Sequence, residues 1–326
     1  MGERGEFAMA KPLNARRNFG WGSRDAIKAA KFALRDAERR GVLSIKSSVD
    51  HLQRFERFHR WLREAYGIRR LDHIQREHVQ AYGRVLAERV RSGEIKPATA
   101  QNLISSTNTV LKIASRGQWQ SVSSTRECGI ASRSSIRTAP TPTPIEAKAA
   151  IASIKDPVGR AIAQLQYTLG LRIKEASLLN ARAALRQAQK TGKITIGQGK
   201  RGHVGSGTKG GRARVIPVSR EGLRALQEAA KIQPKGSRSM IPANQSLKSF
   251  ANTTLREVRD TLRQYGFRPH DLRASYAAAR YEQLTGKAAP CNGGGRSAST
   301  PGQGLTDKEA RQVIAAELGH GRPGVV

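Results

Sequence analysis

Apolar positions along the chain keep a helical period for the first third. Ile27, Ala30, Leu34 and Ala37 recur at helical spacing until Gly41. Val49, Leu52, Phe55, Leu62 and Ala65 form a second stripe, ended by Gly67. Asp72 and Gln75 read as cap and box partner of a third helix, with Val79, Tyr82, Leu86 and Val90 as its buried stripe. Pro97 opens a fourth that carries Leu103, Thr107, Val110 and Ala114 and closes at Gly117. Steps of three and four residues put these positions on one face of an α-helix, and proline suits a first turn because its missing N–H is not needed there. The pattern predicts four amphipathic helices over residues 23–117, preceded by a flexible, glycine-containing basic arm over 1–22.

From 118 to 143 the period disappears. Ser121, Ser123, Ser124, Ser132, Ser134 and Ser135 lead into a run in which Pro140, Pro142 and Pro144 alternate with threonines. Alternating prolines make a stiff extended connector, so this stretch is predicted to link two domains.

Helical spacing returns at 144. Thr143, Pro144 and Glu146 read as cap, first turn and box partner, and Asp156-Pro157 starts a helix that buries Ile162, Leu165 and Leu169. Gly170 breaks it, and the next helix is predicted to begin near Arg172 between apolar Leu171 and Ile173. Lys193–Ile196 and Ala213–Val218 read as strands flanking a glycine-rich run. Helices follow over Glu221–Ala230, Leu247–Tyr265 and Pro269–Tyr281, then a glycine-rich loop over Gly286–Gly304. Thr306 and Glu309 box a last helix that Gly319 stops. The fold expected is mainly α with a small β-sheet or hairpin: a helical domain, then a mixed α+β domain over 144–326.

Charge narrows the possible partners. The 326 residues hold 58 Lys+Arg against 25 Asp+Glu, a formal net charge of +33. The bases run along the whole chain, and Arg54, Arg57, Arg60, Arg63, Arg84, Arg89 and Arg91 fall on outward positions of the first helices. Such a field attracts a polyanion, double-stranded DNA first and an anionic membrane surface second. No apolar run approaches the length of a spanning helix, and no signal-peptide core opens the chain. Cys128 and Cys291 lack metal-site spacing, which fits a reducing, bacterial-type cytosol and argues against a zinc module or disulfide framework.

Two clusters carry candidate chemistry. Pro269-His270-Asp271-Leu272-Arg273 sets His270 and Arg273 on one face of a helix start, an imidazole beside a guanidinium fork suited to a phosphodiester. Gly170-Leu171-Arg172 presents an arginine at another helix start, with Glu175 close enough to take it into a structural salt bridge instead. Gly197-Gln198-Gly199-Lys200-Arg201-Gly202 matches a dinucleotide fingerprint, but that motif must open a helix and here more glycine and a strand follow.

Arg172 in Gly-Leu-Arg-Ile-Lys-Glu, Lys209 in Thr-Lys-Gly-Gly-Arg, His270-Asp-Leu-Arg273 and Leu318-Gly319-His320 occur in that order. Together they resemble the tyrosine recombinase family, also called phage-type integrases. The resemblance covers nearly the whole chain and implies a core-binding domain over 23–117 and a catalytic domain over 144–326 that encircle duplex DNA, with self-assembly, as a tetramer, on it. It implies that Arg172 and Arg273 clamp the scissile phosphate and Lys209 protonates the leaving 5′ oxygen. His270 would assist proton transfer, and His320 would hydrogen-bond the phosphate. The family uses no metal or nucleotide cofactor, because a phosphotyrosyl link conserves the bond energy. One departure stands out: the family's nucleophile lies roughly nine residues after the histidine of Leu-Gly-His, and Gly321–Val326 contain no tyrosine. Tyr265, Tyr276 and Tyr281 read as core or surface residues. The expectation is a chain truncated before its nucleophile, which binds DNA without cutting it. The alternative is a non-enzymatic DNA-binding protein that keeps the clamp.

Overall fold

The structure, a computed structural model, describes residues 16–133, 137, 139–199, 201–294 and 304–320, with the side chain of Lys209 outside the description. It divides into two compact units, Met1–Ser134 and Ser135–Val326.

The first unit is built from α1 (Ala26–Arg39), α2 (Ile45–Tyr66), α3 (Arg76–Arg91) and α4 (Pro97–Ala114). On α1 a stripe of Ala26, Ala29, Ala30, Ala33 and Ala37 lets α2 and α4 approach closely. Opposite lie Phe55, Phe58 and Leu62 of α2 and Ile104 and Leu111 of α4, all buried. Each such side chain contributes about 1.5–3 kcal/mol by leaving water. Asp25 and Ser44 cap α1 and α2 through the N–H groups of Lys28 and Ser47.

Three local readings change. The third helix starts at Arg76, where Gln75 is the cap and His78 its box partner. Asp72 instead sits in a 3-10 turn, where it accepts from the Asn18 N–H at 2.7 Å and from Arg70. Part of the expected arm is packed: Asn18 and Phe19 are buried, and the Trp21 Nε1–H donates to the Ala114 carbonyl at 2.8 Å. Residues 1–15 lie outside the described residues. Much of the stretch 118–143 is also folded onto this unit. Val122, Cys128 and Ile130 enter its core, and Asn108 Oδ1 accepts from the Trp119 indole at 2.9 Å and the Val122 N–H at 3.0 Å. A serine-rich segment without periodicity is ordered by three apolar anchors and side-chain acceptors for its backbone. The division falls after Ser134.

The second unit is mostly helical with one small sheet. Its elements are α5 (Pro144–Ala152), α6 (Pro157–Leu169), α7 (Ile173–Ser177), α8 (Ala181–Thr191), β1 (Lys193–Ile196), β2 (Arg214–Pro217), α9 (Arg220–Ile232), α10 (Leu247–Asn252), α11 (Thr254–Gln264), α12 (Pro269–Thr285) and α13 (Asp307–Leu318). Leu247–Tyr265, expected as one helix, breaks at Thr253, whose φ of −108° and ψ of −95° are not helical. The strands pair antiparallel, with Ile194 opposite Ile216 and Ile196 opposite Arg214. No helix starts directly after Gly202, where 203–208 are irregular with a single bridge at Gly205, so the glycine pattern at 197–202 opens none. Helix α6 runs through the middle, packed against α5, α7, α9, α11 and α12, while α13 lies on α12 and β2. That places the ends of α6, α12 and α13 and the inner face of β2 together.

Candidate active site

Helix α6 ends at Gly170, which adopts φ +60° and ψ 27° as a left-handed cap. A side chain here would meet the Tyr276 ring at 2.5 Å and Leu318 at 2.9 Å, so glycine is required by both conformation and space. The turn brings Arg172 to the cap of α7. Its N–H donates to Glu175 Oε2 and its Nη1–H to Glu175 Oε1, both at 2.7 Å. The salt bridge weighed from the sequence is formed, but it is not isolated. Glu175, fully buried, also accepts from Arg214 at 3.0 and 2.6 Å and has Arg273 Nη1 at 3.6 Å. Burial works against the charge of Glu175. The hydrogen bonds and attraction of Arg214, with those of Arg172, outweigh it and hold the carboxyl below its usual range.

Arg214 was missed in the sequence. Its signal is the strand period: it shares a face with Ile216, and both are buried while Val215 between them is half exposed. A charged residue on the inward face of a strand needs a buried partner, and Glu175 is it.

Helix α12 starts at Pro269. Asp271 Oδ2 accepts from the Arg268 N–H at 2.7 Å, and its Oδ1 accepts from Arg137 Nη1 at 2.8 Å. One turn in, Arg273 is buried to 2% exposure. Its Nη1 donates to the Gly170 carbonyl, and its Nη2 donates to the Leu318 carbonyl and to His320 Nε2 at 3.2 Å. A guanidinium can only donate, so His320 Nε2 is the acceptor and Nδ1 carries the proton. Burial, then Arg273, Arg172, His270 and Arg214, pulls the His320 pKa down to about 4, so the ring is neutral near pH 7. Three buried donors of the cluster, the Arg273 Nε–H, the His320 Nδ1–H and the Arg214 Nε–H, have no partner among the described residues, and the first two belong to side chains that meet one cavity. Arg273 and His320 line one cavity of about 320 Å³, with His270, Cys291 and the apolar face of Ala274, Ala277 and Ala278.

His270 stands at this cavity with one side open to solvent. Partial desolvation lowers its pKa first; Arg273, Arg172 and Arg137 add to this and Asp271 opposes it. The structure thus brings Arg172, His270, Arg273 and His320 into one electrostatic cluster. Lys209 begins the turn Lys209–Gly211 between the two strands, and its ammonium is outside the described atoms, as is Lys200. Three guanidiniums against one buried carboxylate leave the cluster positive, a setting that favours a bound oxyanion.

A family profile described as Integrase matches residues 129–279. Solved structures have the same architecture. The lambda integrase tetramer bound to a Holliday junction aligns over 97% of this chain and 83% of its own, at 15% identity and a TM-score of 0.54. A variant of the Tn1549 transposon integrase in complex with a circular intermediate DNA aligns over 90% of this chain and 92% of its own, at 13% identity and a TM-score of 0.53. The chain thus carries an integrase-family segment over residues 129–279, within a fold like that of these solved integrases. No curated protein matches its sequence. The likeness to the solved recombinases is one of fold.

Three tyrosines have their hydroxyls hydrogen-bonded outside this cluster. In the second unit the Tyr276 O–H donates to Glu317 Oε2 at 2.8 Å, the Tyr281 O–H donates to Asp307 Oδ1 at 2.9 Å, and the Tyr265 hydroxyl lies 2.5 Å from Ser153 Oγ. Burial and then Glu317 push the Tyr276 phenol far above its ordinary pKa. Gly321–Val326 contain no tyrosine and lie outside the described residues. Among the described residues no group of three or more His, Cys, Asp or Glu is placed to hold a metal ion, and no helix is long and apolar enough to cross a membrane.

Proposed function

We propose that this chain binds duplex DNA and holds one backbone phosphate in the pocket of Arg172, Arg273 and His320. The chemistry served is strand cleavage and rejoining through a 3′-phosphotyrosine. The carrying observation is a pair of buried, unpartnered donors, Arg273 Nε–H and His320 Nδ1–H, on two side chains that line one cavity. An unmade hydrogen bond in a buried site costs about 1–3 kcal/mol, and a non-bridging phosphate oxygen satisfies such donors. Arg172 and Arg273 then stabilise charge on the phosphoryl oxygens as it develops. His270 accepts or returns the proton of the attacking phenol. Lys209 gives a proton to the 5′ oxygen as its bond to phosphorus breaks and the phosphorus–phenol bond forms. Rejoining is the reverse. The basic first unit supplies phosphate contacts along the duplex, and several copies assemble on it.

Tyr276, Tyr281 and Tyr265 are set aside as the phenol because their hydroxyls serve Glu317, Asp307 and Ser153, and Tyr167 because it lines a separate pocket with Pro217, Ser219 and Arg280. This supports a chain that by itself holds DNA and does not cut it. The test selects a preferred duplex from a random pool, then measures affinity across salt concentrations and looks for covalent adduct by denaturing electrophoresis on a nicked, labelled duplex. Affinity should fall steeply on a log–log plot against salt, since each phosphate neutralised releases counterions, and no adduct should form. A flat plot refutes the DNA reading. An adduct formed by this chain shows that one of its own tyrosines attacks.

A further inference from the structure

Three residues on one face of α12 grip the last turn of α13. Arg273, Tyr276 and Arg280 follow at spacings of three and four, which align them along the helix. Arg273 takes the Leu318 carbonyl and His320 Nε2. Tyr276 and Arg280 both take the side chain of Glu317, the residue just before Leu318. The Tyr276 O–H donates to Oε2 at 2.8 Å, and the Arg280 Nη2–H donates to Oε1 at 2.9 Å. The Arg280 Nε–H spans both oxygens at 3.1 and 3.2 Å. Glu317 is 6% exposed, so these bonds replace its hydration. The Tyr276 ring also rests against Gly170, whose carbonyl receives the other arm of Arg273. The two main-chain carbonyls that aim Arg273 are thus each fixed through Tyr276: one by its ring, the other by its hydroxyl through Glu317.

We propose that Tyr276, Glu317 and Arg280 are positioning residues that hold the end of α13 so that Arg273 and His320 face the cavity together. None of the three belongs to the phosphate pocket, so each acts through Arg273 and His320. Without the Tyr276 hydroxyl or the Glu317 carboxylate, the last turn of α13 is free to shift along α12. The Leu318 carbonyl then leaves Arg273, and His320 loses the donor that fixes its tautomer. The consequence for phosphate binding rests on the functional reading above; the geometric claim about Arg273 does not.

The test compares wild type with Tyr276→Phe and Glu317→Gln by NMR. It follows solvent exchange of the Arg273 Nη protons, the His320 ring signals, and the response of both to the selected duplex. Tyr276→Phe removes one oxygen and keeps the ring on Gly170. It should stay folded by circular dichroism, yet speed exchange at Arg273 by about tenfold or more, the effect of losing a hydrogen bond to a charged group on a local opening equilibrium. Its duplex affinity should stay within about threefold of wild type, because phosphate contacts elsewhere dominate binding, while the duplex-induced shift at His320 is lost. Should Glu317→Gln fail to fold, Arg280→Lys takes its place, with the same expected loosening. Unchanged Arg273 exchange in the folded variants overturns the proposal. A wild-type protein whose Arg273 and His320 signals ignore the duplex overturns the phosphate reading instead, and that outcome is read on a different sample.

Discussion

Replacing Glu175 with glutamine tests the centre of the site without changing its shape. In the wild type four N–H donors converge on the carboxylate: Arg172 N and Nη1, each at 2.7 Å, and Arg214 Nη1 and Nη2, at 3.0 and 2.6 Å. Glutamine keeps one acceptor oxygen. Its amide nitrogen must face either the Arg172 Nη1 and Arg214 Nη1 pair or the Arg172 N and Arg214 Nη2 pair, donor against donor. Two hydrogen bonds to a charged group are lost, at about 1.5–3 kcal/mol each. The three arginines also lose their counter-charge, including Arg273 at 3.6 Å. A total of about 3–5 kcal/mol follows, the usual cost of breaking a buried ion pair from one side. For a unit the size of Ser135–Val326, at 2–4 °C per kcal/mol, the melting transition should fall by about 6–20 °C. The transition of the first unit should not move, so calorimetry resolves the effect. The folded pKa of Glu175 is depressed, so its stabilisation is present above the usual carboxylate value and is lost as pH falls through the folded value. The gap between wild type and Glu175→Gln should therefore narrow below about pH 4. A loss under about 1 kcal/mol at pH 7, or an equal gap at acid pH, would refute the buried four-donor carboxylate.

Two further outcomes follow from the same geometry. Gly170→Ala adds a methyl at a φ of +60°, with Tyr276 carbon at 2.5 Å and Leu318 at 2.9 Å; urea unfolding should show a loss of about 2–4 kcal/mol from strain and overpacking, and a neutral result would contradict the close packing of α6, α12 and α13. The His320 ring should titrate near pH 4 in the free protein and, because a bound oxyanion favours imidazolium, at higher pH when the selected duplex is present. Since its folded pKa lies below the ordinary histidine value, its contribution to stability is full above about pH 6.5 and lost as pH falls towards 4. An ordinary midpoint in the free protein would show that the ring is not buried among Arg273, Arg172 and Arg214.

What was legible in the sequence was local. Helix starts at Pro97, Thr143, Asp156, Pro269 and Thr306 announce themselves because a cap or first-turn residue acts within three or four positions of itself. The same holds for the break at Gly170 and the stop at Gly319. Arg172, His270, Arg273 and His320, the residues the sequence offers for the site, each sit at or near such a boundary. The third helix went wrong by three residues, from cap Asp72 to cap Gln75, because the Asp72 side chain found a partner in Asn18, 54 positions away, which no window of spacing contains. The segment after Gly117 read as a connector because its anchors, Val122, Cys128 and Ile130, have no period; only the groove that receives them orders them. The site divides in the same way. The residue types that touch the cavity are written in the chain, but their orientation is tertiary. Arg273 is aimed by carbonyls 103 and 45 residues away, Arg214 by a carboxylate 39 residues away, and the Tyr276 hydroxyl by Glu317, 41 residues on. A buried polar group takes whatever partner the packing of α6, α12, α13 and β2 brings to it. That partner is set by the meeting of helix ends, which a linear pattern does not encode.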